Sequence, residues 1–182
     1  MKHIQTILLI IVLSLFMRTQ VYAFDHEISD ASAQANASVV SQDARILHLT
    51  KYLEAKNSPL SDYAAVFVGE ADRLNINWKL VAAIAGVEST FGKHIPTNSY
   101  NAWGWGVFTG QQDGIHFTGW DDGIRTVSEG LKYNYIDKGR TTVDQIGRIY
   151  AASGTWSQKV KWMLSDIESF SPNTPQALEV TI

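Results

Sequence analysis

The stretch Trp78–Val107, WKLVAAIAGVESTFGKHIPTNSYNAWGWGV, decides how this chain folds. Leu80, Val81, Ile84, Val87 and Phe91 recur at spacings of one, three and four, with Ala82, Ala83 and Ala85 between them. A helix that is apolar nearly all round belongs in the middle of a domain. Asn77 stands before it as an N-cap, and Gly92 suits the left-handed position that ends it. Glu88 falls in the last turn, where apolar surroundings and the negative end of the backbone dipole both disfavour an ionised carboxyl. A carboxyl that keeps its proton is what general acid catalysis uses. Just downstream, Tyr100, Trp103 and Trp105 stand among Gly104 and Gly106. Flat rings and closely approaching backbone are what a cleft for a sugar polymer requires.

Working outward, the pattern is helical almost throughout. Gln42–Lys56 puts Ile46, Leu49 and Leu53 on one face before Pro59, and Asp62–Leu74, with Ser61 as cap, carries Tyr63, Val66 and Phe67. Later helices are predicted over Trp120–Lys138, ended by Gly139, over Val143–Ala152, with Thr142 and Gln145 as a capping box, and over Trp156–Phe170, ended near Pro172. Residues 93–119 break this rhythm with Pro96 and a run of glycines. There Trp105–Phe108 and Ile115–Phe117, separated by TGQQDG, predict a small hairpin. The expected fold class is mainly α, with a small β-hairpin or irregular loop region at the cleft.

Four segments follow from composition. Residues 1–23 read as a secretory signal: Lys2, the apolar run Ile7–Met17, and Val21-Tyr22-Ala23 as the cleavage site. That run falls well short of the roughly 20 residues that span a bilayer. Residues 24–40, with DASAQANAS, read as a flexible spacer, residues 41–170 as one catalytic domain, and residues 171–182 as a tail. The expected location is exported, periplasmic or extracellular, without membrane contact after cleavage.

Losing Lys2 and Arg18 leaves the mature chain two charges more acidic than the formal −3 of the whole. No basic run invites nucleic acid. With no cysteine, stability must come from packing rather than disulfides. The five histidines lack metal-ligand spacing, so neither metal nor cofactor is expected, and a monomer is.

Glu88-Ser89, Tyr100-Asn101-Ala102-Trp103-Gly104, FTGWDDGI at Phe117–Ile124 and Tyr150-Ala151 carry a resemblance. Over Ser41–Phe170 the chain resembles bacterial peptidoglycan-cleaving enzymes of the lysozyme-like superfamily, between lytic transglycosylase domains of the soluble type and autolysin glucosaminidase domains. NAWGWGV stands where the transglycosylases carry G-L-M-Q, and IYAASGTW, Ile149–Trp156, is similar to the ending of the glucosaminidases. The resemblance implies a two-lobed helical domain with its acid at the mouth of a groove and peptidoglycan glycan strands as partner. It makes Glu88 the catalytic acid and gives Ser89 a supporting role toward acid and substrate. Tyr100, Asn101, Trp103 and Trp105 become a sugar platform, with Asn101 able to bond an N-acetyl group, and Tyr150 a phenol facing the acid or the sugar. Each has a structural reading beside this: Ser89 as a helix-end hydroxyl bonded one turn back, the rings and Tyr150 as core.

A glycosidase that hydrolyses uses two carboxylates. Here Asp121 and Asp122 suit a helix's first turn, and Asp113 a loop turn, which leaves Glu88 alone. A lytic transglycosylase needs one carboxyl, since the C6 hydroxyl of its own muramic sugar replaces water. That reaction, between N-acetylmuramic acid and N-acetylglucosamine, leaves 1,6-anhydro ends. Two alternatives stand beside it: a hydrolytic endo-β-N-acetylglucosaminidase or muramidase drawing on one of those aspartates, and a wall-binding module that does no chemistry.

Overall fold

Six α-helices make up most of the described residues, 44–106 and 114–171, of a computed structural model. They are α1 (44–55), α2 (Ala64–Leu74), α3 (Leu80–Ser89), α4 (Trp120–Asn134), α5 (Val143–Tyr150) and α6 (Trp156–Ser169), with single 3₁₀ turns at Ser61–Tyr63 and Ile136–Lys138. The expected signal and spacer, the tail from residue 172 and the hairpin tip at 107–113 lie outside the described residues. The described residues are mainly helical and contain no strand. Among them no helix is long and apolar enough to cross a membrane.

The apolar run of the quoted stretch forms the centre. Leu80 to Gly86 are all buried, so α3 is enclosed on every side over two turns. It packs against α6, while α2 packs on α4 and α5 on α6. Helices α3 and α6 run antiparallel: Trp156 at the start of α6 meets Glu88 near the end of α3, and Glu168 near its end pairs with Lys79 before α3. Gly86 makes their close approach possible, since a Cβ there would lie 2.6 Å from the Phe91 ring and 2.9 Å from Met163 Cε. From α1, Leu49, Tyr52 and Leu53 close the core with no exposed surface.

Helix ends depart from the sequence expectations, each for a local reason. Helix α1 ends on Asn57 in the left-handed conformation, with Ser58 N–H donating to Leu53 O, so the stop precedes Pro59. Ser61 begins the 3₁₀ turn and caps nothing; its side chain makes no bond to the amides of α2. Asn77 acts two residues early, accepting from Lys79 N–H at 3.0 Å, and α3 begins at Leu80. Helix α3 ends at Ser89 rather than continuing through Phe91, because Thr90, Phe91 and Gly92 are all left-handed. Helix α4 gives way at Tyr135 to the 3₁₀ turn before Gly139, and α5 stops at Tyr150, two residues short of Ala152. The capping box forms as read: Gln145 N–H donates to Thr142 Oγ1 at 3.3 Å, and Thr142 N–H to Gln145 Oε1 at 3.1 Å.

Half of the first expected hairpin strand and most of its turn lie outside the described residues; one backbone bond joins the two expected strands, and another joins the second to the preceding loop. Ile115 N–H donates to Trp105 O at 3.0 Å, and Phe117 N–H to Ser99 O at 2.9 Å.

Candidate active site

The end of α3 sets the position of Glu88. Glu88 is exposed as a residue, while its Oε1 is held against the protein, accepting from the Trp156 indole N–H at 2.5 Å. Burial pushes the carboxyl's pKa above the ordinary carboxylate value. The Trp156 bond and the positive charge of Lys159 pull the other way without overcoming it. Its second oxygen lies beside Gly104, where a Cβ would be 3.7 Å away. Gly104 takes φ +60°, so the backbone passes the carboxyl with no side chain over it.

Around this carboxyl stands a wall of rings drawn from four elements. Tyr150, at the end of α5, stacks on Trp156 with centroids 4.8 Å apart and planes 23° apart. Trp105 lies 5.8 Å from Tyr150 and 6.4 Å from Tyr135, and those two tyrosines are 6.2 Å apart. Tyr150 donates its phenol proton to Trp103 O at 2.8 Å. Burial pushes that phenol's pKa up, and the negative charge of Glu88 adds to the effect, which places the hydroxyl within the carboxyl's field. Tyr150 is thus joined to the acid through the Trp156 ring on which it stacks, while its phenol is bonded to the loop.

The other residues singled out from the sequence divide by burial. Ser89 is 4% exposed; its hydroxyl lies 3.1 Å from Ala85 O and 2.8 Å from Ala102 O, and accepts from Gly92 N–H at 2.8 Å. It ties the helix end to both flanks of the loop and presents no open face. Asn101 is equally buried: its amide donates to Trp105 O and Ile115 O at 2.8 and 2.9 Å and accepts from Trp103 and Trp105 N–H at 3.3 and 2.9 Å. Every bonding site of that side chain is occupied by backbone. Trp103 has no exposed surface, lies between Phe67 and Phe117, and donates its indole proton to Val81 O at 2.9 Å. Tyr100, half-buried, meets Trp120 edge to face at 5.3 Å. Glu88, Trp105 and Tyr150 are therefore brought together, whereas Ser89, Asn101 and Trp103 hold up the loop beneath them.

Two site residues were not singled out by the local pattern, Tyr135 in the ring wall and, bonded to the acid itself, Trp156. Its signal was IYAASGTW, where a tryptophan opens a helix six residues after Tyr150. Its relation to Glu88 spans 68 residues and exists only through the antiparallel α3 and α6.

Asp122 accepts from Thr118 N–H and hydroxyl at 2.9 and 3.0 Å, bonds that hold its pKa below the usual value. It is a first-turn carboxylate of α4 that holds Thr118, just ahead of the helix. Asp113 lies outside the described residues. No group of three or more potential metal ligands occurs among the described residues. Compared with family models and with curated proteins, the sequence finds no match.

Proposed function

We propose that this chain cleaves peptidoglycan glycan strands as a lytic transglycosylase, on a two-lobed lysozyme-like scaffold, with Glu88 as its one acid and base. One observation carries the reading: at the end of a buried helix stands a carboxyl with raised proton affinity, pinned by an indole and bordered by rings. Glu88 gives its proton to the oxygen bridging N-acetylmuramic acid and N-acetylglucosamine, and the bond from the anomeric carbon to that oxygen breaks. The ionised carboxyl then takes the proton of the muramic C6 hydroxyl, whose oxygen bonds the anomeric carbon. A 1,6-anhydro end results and the acid is restored. The partly exposed rings of Trp105, Tyr135 and Tyr150 supply faces for the sugars.

Support for one carboxyl rather than two comes from the surroundings of Glu88. Among the described residues the charged group acting on it is the Lys159 cation, and Asp122 is engaged by Thr118. The test is digestion of purified sacculi by the protein and by its Glu88→Gln variant. Release of fragments by the former alone, with ends that borohydride fails to reduce, is the expected result. Reducible ends would establish hydrolysis instead, and equal behaviour of the two proteins a binding module.

A further inference from the structure

An open groove of about 400 Å³ runs along the seam of α3 and α6, lined by Val87, Gln158, Lys159, Trp162 and Met163. It starts one residue before Glu88, on the same two helices that hold the carboxyl and its indole partner. Trp162 is the most exposed large apolar side chain among the described residues, at 62%, and it flanks the apolar floor made by Val87 and Met163. Lys159 makes no ion pair among the described residues, in contrast to Lys161, which pairs with Asp144 at 2.7 Å. Its side chain lines the groove, and its charge acts on Glu88.

These groups select an occupant by chemistry. An indole face takes the C–H face of a pyranose ring, and the apolar floor takes a methyl such as that of an N-acetyl group. Gln158 both gives and accepts hydrogen bonds. An ammonium at the rim of this apolar lining favours an occupant that brings an anion to the groove's edge. Resting on the reading of Glu88 above, we infer that this groove is a subsite for an N-acetylated sugar carrying an acidic peptide, with Trp162 beneath the ring and Lys159 paired to a peptide carboxylate. Strands bearing their stems are then preferred over bare glycan. Filling the site also neutralises the charge that opposes proton retention on Glu88, whose other partners are Trp156 from α6 and the Tyr150 phenol from α5.

The test is calorimetric titration of the full chain carrying Glu88→Gln, so that nothing is cleaved. Two probes are used, the disaccharide tetrapeptide of peptidoglycan and the same disaccharide freed of its peptide. The peptide-bearing probe is expected to bind more tightly. Adding Trp162→Ala weakens both probes by about tenfold. Adding Lys159→Gln weakens only the peptide-bearing probe, by about threefold to fivefold, the scale of an exposed ion pair. Both side chains are exposed, so the circular dichroism spectrum is expected to stay unchanged. Equal affinity for the two probes, parental affinities in both variants, or a Lys159→Gln loss shared by both probes overturns the inference. Sacculus digestion with Glu88 intact separates the two readings. No cleavage alongside retained discrimination sinks the reaction and leaves the groove, and cleavage alongside unaltered affinities does the reverse.

Discussion

Replacing Trp156 with Phe removes the proton donor of Glu88 together with part of a buried ring. The ring that stacks on Tyr150 at 4.8 Å is retained in smaller form, and the 2.5 Å bond to Oε1 is lost. A hydrogen bond to a charged group is worth about 1.5–3 kcal/mol, and one pKa unit is about 1.4 kcal/mol, so the bond sets an upper bound of about one to two units. Glu88 has a solvent-facing side, and water replaces part of what is lost, which brings the expected change to about half to one unit. The sign is fixed: the indole N–H favours the ionised form, so its removal pushes a pKa already raised by burial further up. Lys159 on α6 remains as the cation that pulls it down, and Tyr150 on α5 keeps its proton and its bond to Trp103.

The direct measurement is a ¹³C NMR titration of the Glu88 carboxyl carbon, assigned by its absence in Glu88→Gln. A midpoint that moves up in Trp156→Phe, with near-ultraviolet dichroism preserved, is expected. In the sacculus assay, the alkaline limb of activity moves up with it, because the acid form persists to higher pH. A midpoint that stays or falls would refute the reasoning, since the carboxyl would then owe nothing to the indole.

Other expectations rest on different parts of the molecule. Glu88→Gln keeps an acceptor for Trp156 and removes a group whose folded pKa exceeds its unfolded one. The parent loses stability as pH rises through the ordinary carboxylate range to that higher value, so the variant should equal or exceed it at neutral pH, by less than about 1 kcal/mol, in denaturant melts run across pH. Gly69→Ala in α2 meets no atom within 4 Å and should stabilise by about 0.5–1 kcal/mol, whereas a Cβ at Gly130 in α4 would lie 2.1 Å from Trp105 Cζ2. Gly130→Ala should therefore lose about 2 kcal/mol and disturb the near-ultraviolet signal of the ring wall. Asn101→Asp sets a buried carboxylate against the carbonyls of Trp105 and Ile115. A loss above about 3 kcal/mol at neutral pH is expected, shrinking as pH falls and the new carboxyl is protonated; a melt indifferent to pH would contradict it.

What the chain disclosed in advance was whatever depends on near neighbours. An apolar surface all round α3 requires enclosure wherever the helix sits, and the Thr142–Gln145 box is complete within four residues. Glu88 and its place at a helix end were legible for the same reason. Helix ends were less so: tertiary contacts decide whether Thr90 and Phe91 take a left-handed backbone that local preference opposes. Polar residues near the acid carried two readings each, and the bond from Ser89 to Ala85 is the local one. Ser89 and Asn101 have the donors and acceptors of a sugar site, and they spend them on the backbone. Only the folded loop reveals which amides and carbonyls would otherwise be stranded.

That expenditure explains how an irregular loop holds a wall of rings without strands or disulfides. Between Thr90 and Gly106, Thr90, Phe91, Asn98 and Tyr100 adopt left-handed conformations as non-glycine residues. Each is disfavoured by about 1 kcal/mol or more, and such geometry persists only where the surroundings over-determine it. Three anchors do so. Ser89 ties both flanks to α3, Asn101 clasps Trp105 and Ile115, and Trp103 is locked in the core by its bond to Val81. Trp105 and the bare backbone of Gly104 are thereby held beside a carboxyl that is fixed independently, from the far side, by α6. The strain in the loop and the raised proton affinity of Glu88 are both unfavourable to the fold, and both are concentrated at the end of the one helix whose burial is most complete. Stability drawn from α3 is what allows its last turn to carry a carboxyl of raised proton affinity.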